Sequence, residues 1–429
     1  MVELTAYEQE MLDGKHGTLK RQAMRKVVEY ANVLGAKELC EVTMAHIFCG
    51  AHGYLRAAGT DDMNLTMSQM QFCSDEPMLD DHYVCYCQSD CGPMDPVNYS
   101  KMGISSAEGE RNTEFLRYCL ERGVNLVGTC IPYMCGFIPL PGEHYVTSES
   151  HAVPLMNSMW GACGNSDGLE MGYWGAACGR VPKWGNHLPE CRKGTHLYNI
   201  LTPIVTTCDW DLLGYTIGRY LPQHSVPVIN KMQQRPNIFN LKYFFASIAT
   251  TSGPEMCHFV GITPEAPTLD AAFGGMEPVA VKDIHREDLD ESYEILNGYN
   301  REPESVDYIS LGCPHYSIEE MRYTAGLLKG RRIADGLVLH IWTAQPIKAS
   351  CDYCGYTQII EDSGAIVLTS SCPLTSDKMP PDTKVAAFDS AKQAHYIMPQ
   401  KKAKILYGSF EKCVKSAISG IWTPGCGRV

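Results

Sequence analysis

The sequence predicts an α/β protein with mostly parallel sheets, and two observations carry this prediction. From residue 303 onward, apolar runs typical of strands alternate with amphipathic runs typical of helices, in the order β-α-β-α-β. The length of 429 residues is also too great for one ordinary hydrophobic core, so two or three packed units are expected. In parallel sheets of this kind, ligands bind beyond the carboxyl ends of the strands.

The N-terminal elements are predicted from the spacing of apolar residues. These residues recur at three- and four-residue intervals through a helix predicted over 5–34. A strand-like run covers 40–49, a second helix is predicted over 113–123, and a strand follows over 124–130. The tract at 139–200 is rich in Gly, Pro and polar residues, and a long irregular tract in a compact protein is more often functional.

The C-terminal part carries the clearest alternation. Ser317 and Glu320 form a capping-box pattern at the start of one predicted helix, and Gly330 follows its end. The predicted strands and helices alternate over 306–313, 317–330, 336–344, 346–364 and 365–372.

Composition and charge exclude several classes of partner. Hydrophobic residues make up 45% and charged residues 20% of the chain, as in ordinary globular proteins. The net charge of −13 repels nucleic acid and anionic membranes, so we expect neither as a partner. The first residues lack the apolar run of a secretory signal, and no apolar stretch is long enough to span a bilayer. We therefore expect a cytoplasmic protein.

Three of the 20 cysteines stand in similar settings. Cys130 in GTCIPY, Cys313 in LGCPH and Cys372 in SSCPL each follow an apolar strand-like run, and a proline follows within two residues. Three thiolates from three such turns could converge at one sheet edge and hold an iron–sulfur cluster or one metal ion with an open position. The alternative is three unrelated core cysteines, because buried Cys packs as a small hydrophobe.

Two further groups of cysteines have the spacing of ligands. Cys85, Cys87 and Cys91 lie in CYCQSDC, and Cys351 and Cys354 lie in CDYC within a predicted helix. A redox dithiol or a zinc site is one interpretation, and ordinary packing is the other.

Ordered sequence blocks resemble the aconitase X family. The resemblance covers nearly the whole chain, which makes it more specific than any single motif. The blocks are GTCIPYMCGFIPLPGEHYVTSESHAVPLMNSMWGA (128–162), GRVPKWGNHLPECRKGTHL (179–197), TSGPEMCHFVGITPEAPT (251–268), SLGCPHYSIEEM (310–321), TSSCPLTS (369–376) and FDSAKQAHYIMPQ (388–400).

The resemblance implies a fold, an activity, a cofactor and a partner. The implied fold consists of aconitase-like three-layer α/β/α domains with the active site in the cleft between them. The implied activity is a hydro-lyase that dehydrates a hydroxy carboxylic acid such as cis-3-hydroxy-L-proline or 5-phosphomevalonate. The implied cofactor is a [4Fe-4S] or [2Fe-2S] cluster or mononuclear iron, held by Cys130, Cys313 and Cys372. The implied partner is a separate small subunit resembling aconitase's swivelling domain.

We expect the chain to divide into two regions. Residues 1–270 would form an N-terminal α/β region with the first cysteine ligand and the Gly/Pro-rich substrate-site tract. Residues 271–429 would form a C-terminal α/β domain with the other two cysteine ligands. The Pro- and Gly-rich stretch at 261–278 suggests this boundary.

Dehydration of a hydroxy acid needs a proton acceptor, a Lewis acid for the leaving hydroxide and donors for the carboxylate. The resembling blocks supply most of the candidates for these roles, and His46 and Asn64 lie outside the blocks. The catalytic candidates are Glu149, Ser150, Lys392 and His187. The substrate-binding candidates are Ser148, Asn157, Ser158, Arg180, Arg192, Thr251, Ser252, His46 and Asn64. The alternative for the charged residues is structural: solvated Glu149 and Lys392, a satisfied loop His187, and ion-paired arginines.

The sequence departs from the family pattern at two positions. Many members carry two arginines in a G-A-R-T-N-R stretch, whereas this chain has Cys163 and Ser166 at those places. Fewer positive charges would weaken binding of an anionic group, which argues against a doubly charged phosphate substrate. A cysteine-rich zinc-binding scaffold and a family member that binds a ligand without turnover are the competing functions.

Overall fold

The computed structural model describes residues 1–49, 62–74, 82–376, 379–400 and 402–425. Its α-helices are α1 (Ala6–Leu12), α2 (Thr18–Leu34), α3 (Met63–Phe72), α4 (Ser106–Glu121), α5 (Ala152–Trp160), α6 (Gly168–Cys178), α7 (Thr207–Tyr220), α8 (Ile238–Thr251), α9 (Leu269–Phe273), α10 (Arg286–Leu296), α11 (Ile318–Leu328), α12 (Gln345–Tyr353), α13 (Tyr356–Asp362), α14 (Pro373–Ser376), α15 (Ala391–Ile397) and α16 (Phe410–Ser419). None of these helices combines the length and the apolar composition needed to cross a bilayer, within the described ranges.

The strands alternate with these helices along the chain. They are β1 (Leu39–Glu41), β2 (Met44–Ile47), β3 (Tyr86–Ser89), β4 (Val124–Asn125), β5 (Tyr145–Thr147), β6 (Arg180–Pro182), β7 (His196–Ile200), β8 (Pro227–Asn230), β9 (His258–Phe259), β10 (Ala280–Ile284), β11 (Glu304–Ser305), β12 (Tyr308–Tyr316), β13 (Val338–Thr343), β14 (Ile366–Thr369), β15 (Val385–Phe388), β16 (Lys404–Tyr407) and β17 (Ile421–Trp422).

Three parallel sheets organise the molecule, which confirms the predicted class. The first sheet has the order β4-β3-β2-β5, the second β10-β7-β8-β9, and the third β14-β13-β12-β15-β16. Neighbouring strands in all three sheets are parallel, and two short antiparallel pairs, β1–β6 and β11–β17, lie outside them. Every residue of β12 is buried, as expected for a central strand of a sheet that helices cover on both faces.

One apolar core joins the three sheets. Its buried residues include Tyr145 of the first sheet, Tyr198 of the second and Tyr308 of the third, together with Phe244 of α8. Two further cores lie within the first and third sheets. Because the sheets share this core, loops at their carboxyl ends can meet at one place.

Helix starts follow the sequence signals. Ser317 caps α11 by accepting from the Glu320 backbone N–H, and the Glu320 carboxylate accepts from the Ser317 backbone N–H at 2.9 Å. This reciprocal capping box confirms the predicted start of the helix. Thr5 and Ser105 form the same arrangement at α1 and α4.

Two predicted elements differ from the structure. The strand predicted over 124–130 stops at Asn125, because the chain turns there and Val127 N–H donates to the Asn125 carbonyl. The single helix predicted over 346–364 is two helices, α12 and α13. Gly355 separates them with a φ of +77°, a left-handed conformation that a regular helix cannot continue through.

The division at residue 270 stays a prediction. β10 pairs in parallel with β7 along its whole length, so a boundary before residue 271 would remove β10 from the sheet that it completes. This pairing favours a boundary between α10 and β12 instead.

Candidate active site

Cys130, Cys313 and Cys372 approach one another where loops of the first and third sheets meet. Cys130 follows β4, Cys372 follows β14, and Cys313 lies inside β12. The pairing of β12 with β13 is interrupted between Leu311 and Tyr316, so Cys313 lies where the ladder is irregular. Burial, then the nearby Cys372 and Cys130 thiols, raises the pKa of Cys313 well above its usual value. The three thiols therefore interact electrostatically.

His315 connects the loops that carry these cysteines. Its backbone N–H donates to Cys130 Sγ at 3.3 Å, and its Nε2 lies 2.8 Å from the Ser371 carbonyl oxygen. Its Nδ1 lies 3.1 Å from the Thr129 hydroxyl, and burial lowers its pKa to about 4. His315 is therefore a neutral ring that ties the Cys130 loop to the Cys372 loop.

Cys91 joins the same cluster. Its Sγ lies 3.6 Å from His315 Nε2, and one ligand atom each of Cys91, Cys130 and His315 lies within 4.8 Å of the others. Burial and contact with the Cys130 thiol raise the pKa of Cys91. Of the cysteines with ligand-like spacing, Cys85 instead donates to the Val42 carbonyl. The others lie apart from the cluster: Cys87 is buried in β3, Cys351 is buried in α12 and Cys354 is exposed.

Glu149 and Lys392 form an ion pair beside the cysteines, with only 13% and 12% of their side chains exposed. Lys392 Nζ donates to Glu149 Oε1 at 3.0 Å and to the Ser150 hydroxyl at 3.1 Å. Burial opposes the Lys392 charge, but Glu149, Cys313 and Cys130 raise its pKa above the usual value. Lys392 therefore stays protonated and faces both the carboxylate and the thiols.

His151 holds the other side of Glu149. Its Nδ1 lies 2.7 Å from Glu149 Oε1, and its Nε2 lies 3.2 Å from the Tyr133 hydroxyl. Burial disfavours a charge on Glu149, but Lys392 and His151 together bring the pKa of Glu149 well below its usual value. The carboxylate is therefore ionised at neutral pH.

The two oxygens of Glu149 have different surroundings. Oε1 accepts from Lys392, from the Ser150 hydroxyl and from the His151 backbone N–H, and it also lies beside His151 Nδ1. Among the residues that the structure describes, no hydrogen bond reaches Oε2. The pair therefore leaves one carboxylate oxygen available to a ligand.

Ser148 and His46 lie next to this pair. The Ser148 hydroxyl donates to Asp90 Oδ2 at 2.8 Å, and burial, followed by Glu149, raises the pKa of Asp90. His46 is fully buried, with Nε2 2.9 Å from the Thr129 carbonyl and Nδ1 3.0 Å from the Thr147 hydroxyl. A cavity of about 370 Å³ opens beside Asp90, bounded also by Gly92, Gly128 and Ser370.

Lys242 supports the Cys313 loop from behind. This fully buried lysine donates to the His315 carbonyl at 3.0 Å and to both carboxylate oxygens of Glu320, at 2.7 and 2.8 Å. The Tyr243 hydroxyl donates to the same carboxylate at 3.0 Å. Glu320, the second residue of the α11 capping box, is thus also the counter-ion of Lys242, which holds the loop after Cys313.

Both arginine candidates form structural ion pairs. Arg180 Nε donates to Glu8 Oε1 at 2.9 Å, which joins β6 to α1. Arg192 donates from Nε to both oxygens of Glu265 at 3.0 and 3.1 Å, and from Nη2 to the Asn157 carbonyl at 3.1 Å. Neither guanidinium points its donors at the cysteine cluster.

The remaining polar candidates form hydrogen bonds with other parts of the fold. The Asn157 side chain donates to the Gly164 and Glu255 carbonyls at 2.8 Å, and the Ser158 hydroxyl accepts from the Cys257 backbone N–H. The Thr251 and Ser252 hydroxyls donate to the carbonyl of Ile248 in the preceding turn of α8. Asn64 Oδ1 accepts from Arg122 Nη2 at 2.8 Å.

His187, Cys163 and Ser166 lie at the end of β5 that is away from Glu149. His187 Nδ1 is 2.9 Å from His144 Nδ1, and His144 immediately precedes β5, whereas Glu149 follows it. Cys163 pairs with His144 through an isolated bridge, and the Ser166 backbone N–H donates to Glu255 Oε1. The structure does not bring these residues to the Glu149–Lys392 pair.

Sequence reasoning missed His315, His151, Tyr133, Asp90 and Lys242. His315 lies two residues after Cys313, and His151 two after Glu149, so their position beside other candidates was the available signal. Lys242 carries no local signal, because its partners are more than 70 residues away.

The donor set fits an iron centre. Three cysteine thiols converge at one buried place, and a cysteine thiolate is the usual ligand of iron in clusters. Burying three thiolates requires compensating positive charge, and Lys392 supplies one such charge directly beside Cys313 and Cys130.

Sequence comparison finds relatives over nearly the whole chain. Profiles of the aconitase X first, second and third domains match residues 1–190, 194–294 and 306–419. The phosphomevalonate dehydratase large subunit of Methanocaldococcus jannaschii is 29% identical over 96% of this chain and 99% of its own length. The cis-3-hydroxy-L-proline dehydratase of Pseudomonas aeruginosa is 30% identical over 97% of this chain and 70% of its own length.

Structural comparison confirms the fold. The crystal structure of Thermococcus kodakaraensis aconitase X in its holo-form superposes with a TM-score of 0.81 at 24% identity, covering 97% of this chain and all of that one. The sequence relatives are dehydratases, which confirms the predicted activity class, a carbon–oxygen hydro-lyase.

Proposed function

We propose that this chain, which belongs to the aconitase X family, dehydrates a small hydroxy carboxylic acid at the Glu149–Lys392 pair. The supporting observation is the position of this ion pair beside Cys130 and Cys313. A charged donor, an available carboxylate oxygen and three thiols then face one place, which is the set of groups that dehydration needs.

Cys130, Cys313 and Cys372 would hold an iron–sulfur cluster or a single iron ion. When bound there, the iron supplies a Lewis acid that polarises the hydroxyl group of the substrate. The Cys91 thiol and the His315 backbone N–H lie against Cys130 and would position its thiolate through hydrogen bonds.

Glu149 and Lys392 have complementary roles in this proposal. Lys392 is protonated and donates to the carboxylate of the substrate, which stabilises negative charge that develops beside it. Glu149 is ionised, so its Oε2 would accept the proton from the carbon beside the substrate carboxylate, while the C–O bond breaks and the hydroxyl group leaves as hydroxide. Ser150 and His151 hold Oε1, so that the second oxygen keeps its orientation.

The charge of the site favours a substrate with a single anionic group. Lys392 is paired with Glu149, and Lys242 is paired with Glu320, so both lysines near the cysteines are largely neutralised. The positions of Cys163 and Ser166 carry no charge either. We therefore propose a hydroxy amino acid of the cis-3-hydroxy-L-proline kind ahead of 5-phosphomevalonate.

A separate small subunit would complete the site. Three relatives that match along most of their own length are named large subunits. We propose that the partner covers the cleft beside Glu149 and supplies a further catalytic group, such as a serine hydroxyl.

Activity and iron content test this function together. The chain, co-produced without oxygen with the small subunit, is assayed on cis-3-hydroxy-L-proline and on 5-phosphomevalonate. We expect iron in the complex, and loss of both iron and turnover in Cys313→Ala, with Cys354→Ala as the control at an exposed thiol. Zinc without iron, or an unchanged iron content in Cys130→Ala, Cys313→Ala and Cys372→Ala alike, would refute the proposal and favour a zinc-binding scaffold.

A further inference from the structure

A second group of metal-binding side chains lies away from the proposed iron site. One ligand atom each of Cys40, His144 and His187 lies within 4.8 Å of the others. Cys40 belongs to β1, His144 directly precedes β5, and His187 ends the 3₁₀ turn Gly185–His187. Three separate segments of the chain thus bring a thiol and two imidazoles together.

The position of this group separates it from the Glu149–Lys392 pair. β5 runs between His144 and Glu149, and five residue steps along an extended chain span about 16 Å. The two sites therefore lie at opposite ends of the same strand.

The two histidines face each other through their Nδ1 atoms. Their Nδ1 atoms lie 2.9 Å apart, so only one of the facing nitrogens can carry a proton. His187 is 3% exposed, and its buried Nε2 has no hydrogen-bond partner among the described residues. With Nδ1 of His187 on a metal ion, this Nε2 would carry the proton of the neutral ring.

We propose that Cys40, His144 and His187 bind a zinc ion, with Cys163 or a water molecule as the fourth ligand. Zinc favours tetrahedral sites of sulfur and nitrogen ligands, and Zn–N bonds of about 2.0–2.1 Å place neighbouring nitrogens about 3.3 Å apart. The facing histidine nitrogens need to separate by only a few tenths of an ångström to reach this spacing.

Cys163 is well placed for the fourth position. Its backbone pairs with that of His144, its side chain is partly exposed, and its thiol acts electrostatically on Cys40. Two thiolates and two imidazoles would make a closed structural site, whereas a water molecule would leave the site open.

The surrounding charges permit a cation. Lys183 approaches Cys40 and His144, but its Nζ is paired with Glu38 Oε1 at 2.6 Å. Arg192, near His187, is paired with Glu265. Both positive charges are therefore compensated before an ion enters.

Burial shifts the pKa values of the three ligands in different directions. It lowers the pKa of His187 to about 3 and also lowers that of His144, so both rings are in the neutral form that binds metal. It raises the pKa of the Cys40 thiol to about 12, so zinc has to displace a proton there. Uptake should therefore release a proton and strengthen with rising pH.

Cobalt and zinc binding to the full chain tests this site. Co²⁺ added to the chelator-treated protein should give a thiolate-to-cobalt charge-transfer band together with the visible bands of a tetrahedral site. Cys40→Ser should abolish the charge-transfer band of this site, or halve it if Cys163 is the fourth ligand. His187→Gln should weaken Zn²⁺ binding at least tenfold. Cys191→Ser, an exposed thiol close in sequence to His187, is the matched control and should bind as the wild type does.

A second comparison distinguishes cobalt binding at the proposed zinc site from cobalt binding at the proposed iron site. Cys313→Ala should retain the cobalt bands that Cys40→Ser loses, since Cys313 lies in the other cluster. If Cys40→Ser does not fold, the melting temperature of the wild-type protein decides, because Zn²⁺ should raise it in wild type and Cys191→Ser but not in His144→Gln. Equal zinc content in wild type, Cys40→Ser and His187→Gln, or no zinc in any of them after incubation with one equivalent, would overturn the proposal. Its failure would leave the proposed dehydratase function untouched.

Discussion

Gly128 lies against Ser370, and this contact joins the loop before Cys130 to the loop before Cys372. A Cβ atom at Gly128 would meet the Ser370 Cα at 3.1 Å and overlap its hydroxyl group. Gly128 also has a φ of +57°, and Gly92 N–H donates to the Ser370 carbonyl at 2.6 Å. The first and third sheets are thus held together at the proposed iron site by backbone contacts.

Gly128→Ala should separate these loops. We expect a loss of about 2 kcal/mol in the free energy of unfolding, from left-handed strain and overpacking together, and a lower iron content. Urea unfolding and iron analysis measure the two effects. Gly142→Ala is the matched control, because its φ is +77° but no atom lies within 4 Å of the added Cβ. Equal effects of the two substitutions would show that the Ser370 contact is unimportant.

Lys392→Met should leave Glu149 as an unpaired, largely buried carboxylate. We expect a loss of about 3 kcal/mol in stability, because a largely buried ion has lost its partner. We also expect turnover to fall about 100-fold or more, because the charged donor to the substrate is gone. The exposed pair Lys348–Asp352 has similar distances, so Lys348→Met is the control and should change stability by less than about 1 kcal/mol. A Lys392→Met enzyme with normal turnover would remove Lys392 from the mechanism.

His340 should make stability depend on pH. Burial lowers its folded-state pKa to about 4, whereas the unfolded chain titrates near 6.5, so the unfolded state binds more protons between these values. Its contribution is therefore present above pH 6.5 and is lost as pH falls towards 4, by about 3 kcal/mol in total. His340→Phe should flatten this part of the pH profile of unfolding, whereas His224→Asn, at an exposed position, should not. Parallel profiles for wild type and His340→Phe would contradict the assignment.

Arg192→Lys should destabilise the fold without changing substrate affinity. Lysine cannot reproduce the donation from Nε, Nη1 and Nη2 to Glu265, Asn186 and Asn157, and we expect a loss of about 2 kcal/mol. KM for the substrate should stay within about twofold, because every donor group of Arg192 is already used in the fold. Arg322→Lys, in an exposed pair with Glu319, is the control. A tenfold increase in KM with unchanged stability would show instead that Arg192 binds the substrate.

The sequence predicted the features that depend on neighbouring residues. The capping box of α11 and the strand runs before Cys313 and Cys372 follow from local spacing, and the structure contains them. The three cysteines were recognised together only through the family blocks, because their spacing fits no short ligand motif.

Long-range pairing could not be predicted in this way. The Arg180 side chain is used by Glu8, which is 172 residues away, and Lys242 is held by a loop more than 70 residues away. His187 is a loop residue whose role depends on Cys40 and His144, both brought to it by the strands β1 and β5. Such contacts are set by how the sheets pack, which single-residue patterns do not encode.

The large separation in sequence between Cys130 and Cys372 has a consequence for the synthesis of the protein on the ribosome. Cys372 leaves the ribosome about 240 residues after Cys130, which takes on the order of tens of seconds. During this interval Cys130 exists as a thiol without Cys372, the last of the three cysteines to be made. Delivery of metal to the proposed iron site would therefore wait for the last third of the chain, and until then Cys130 would have to be kept as a reduced thiol to serve as a ligand.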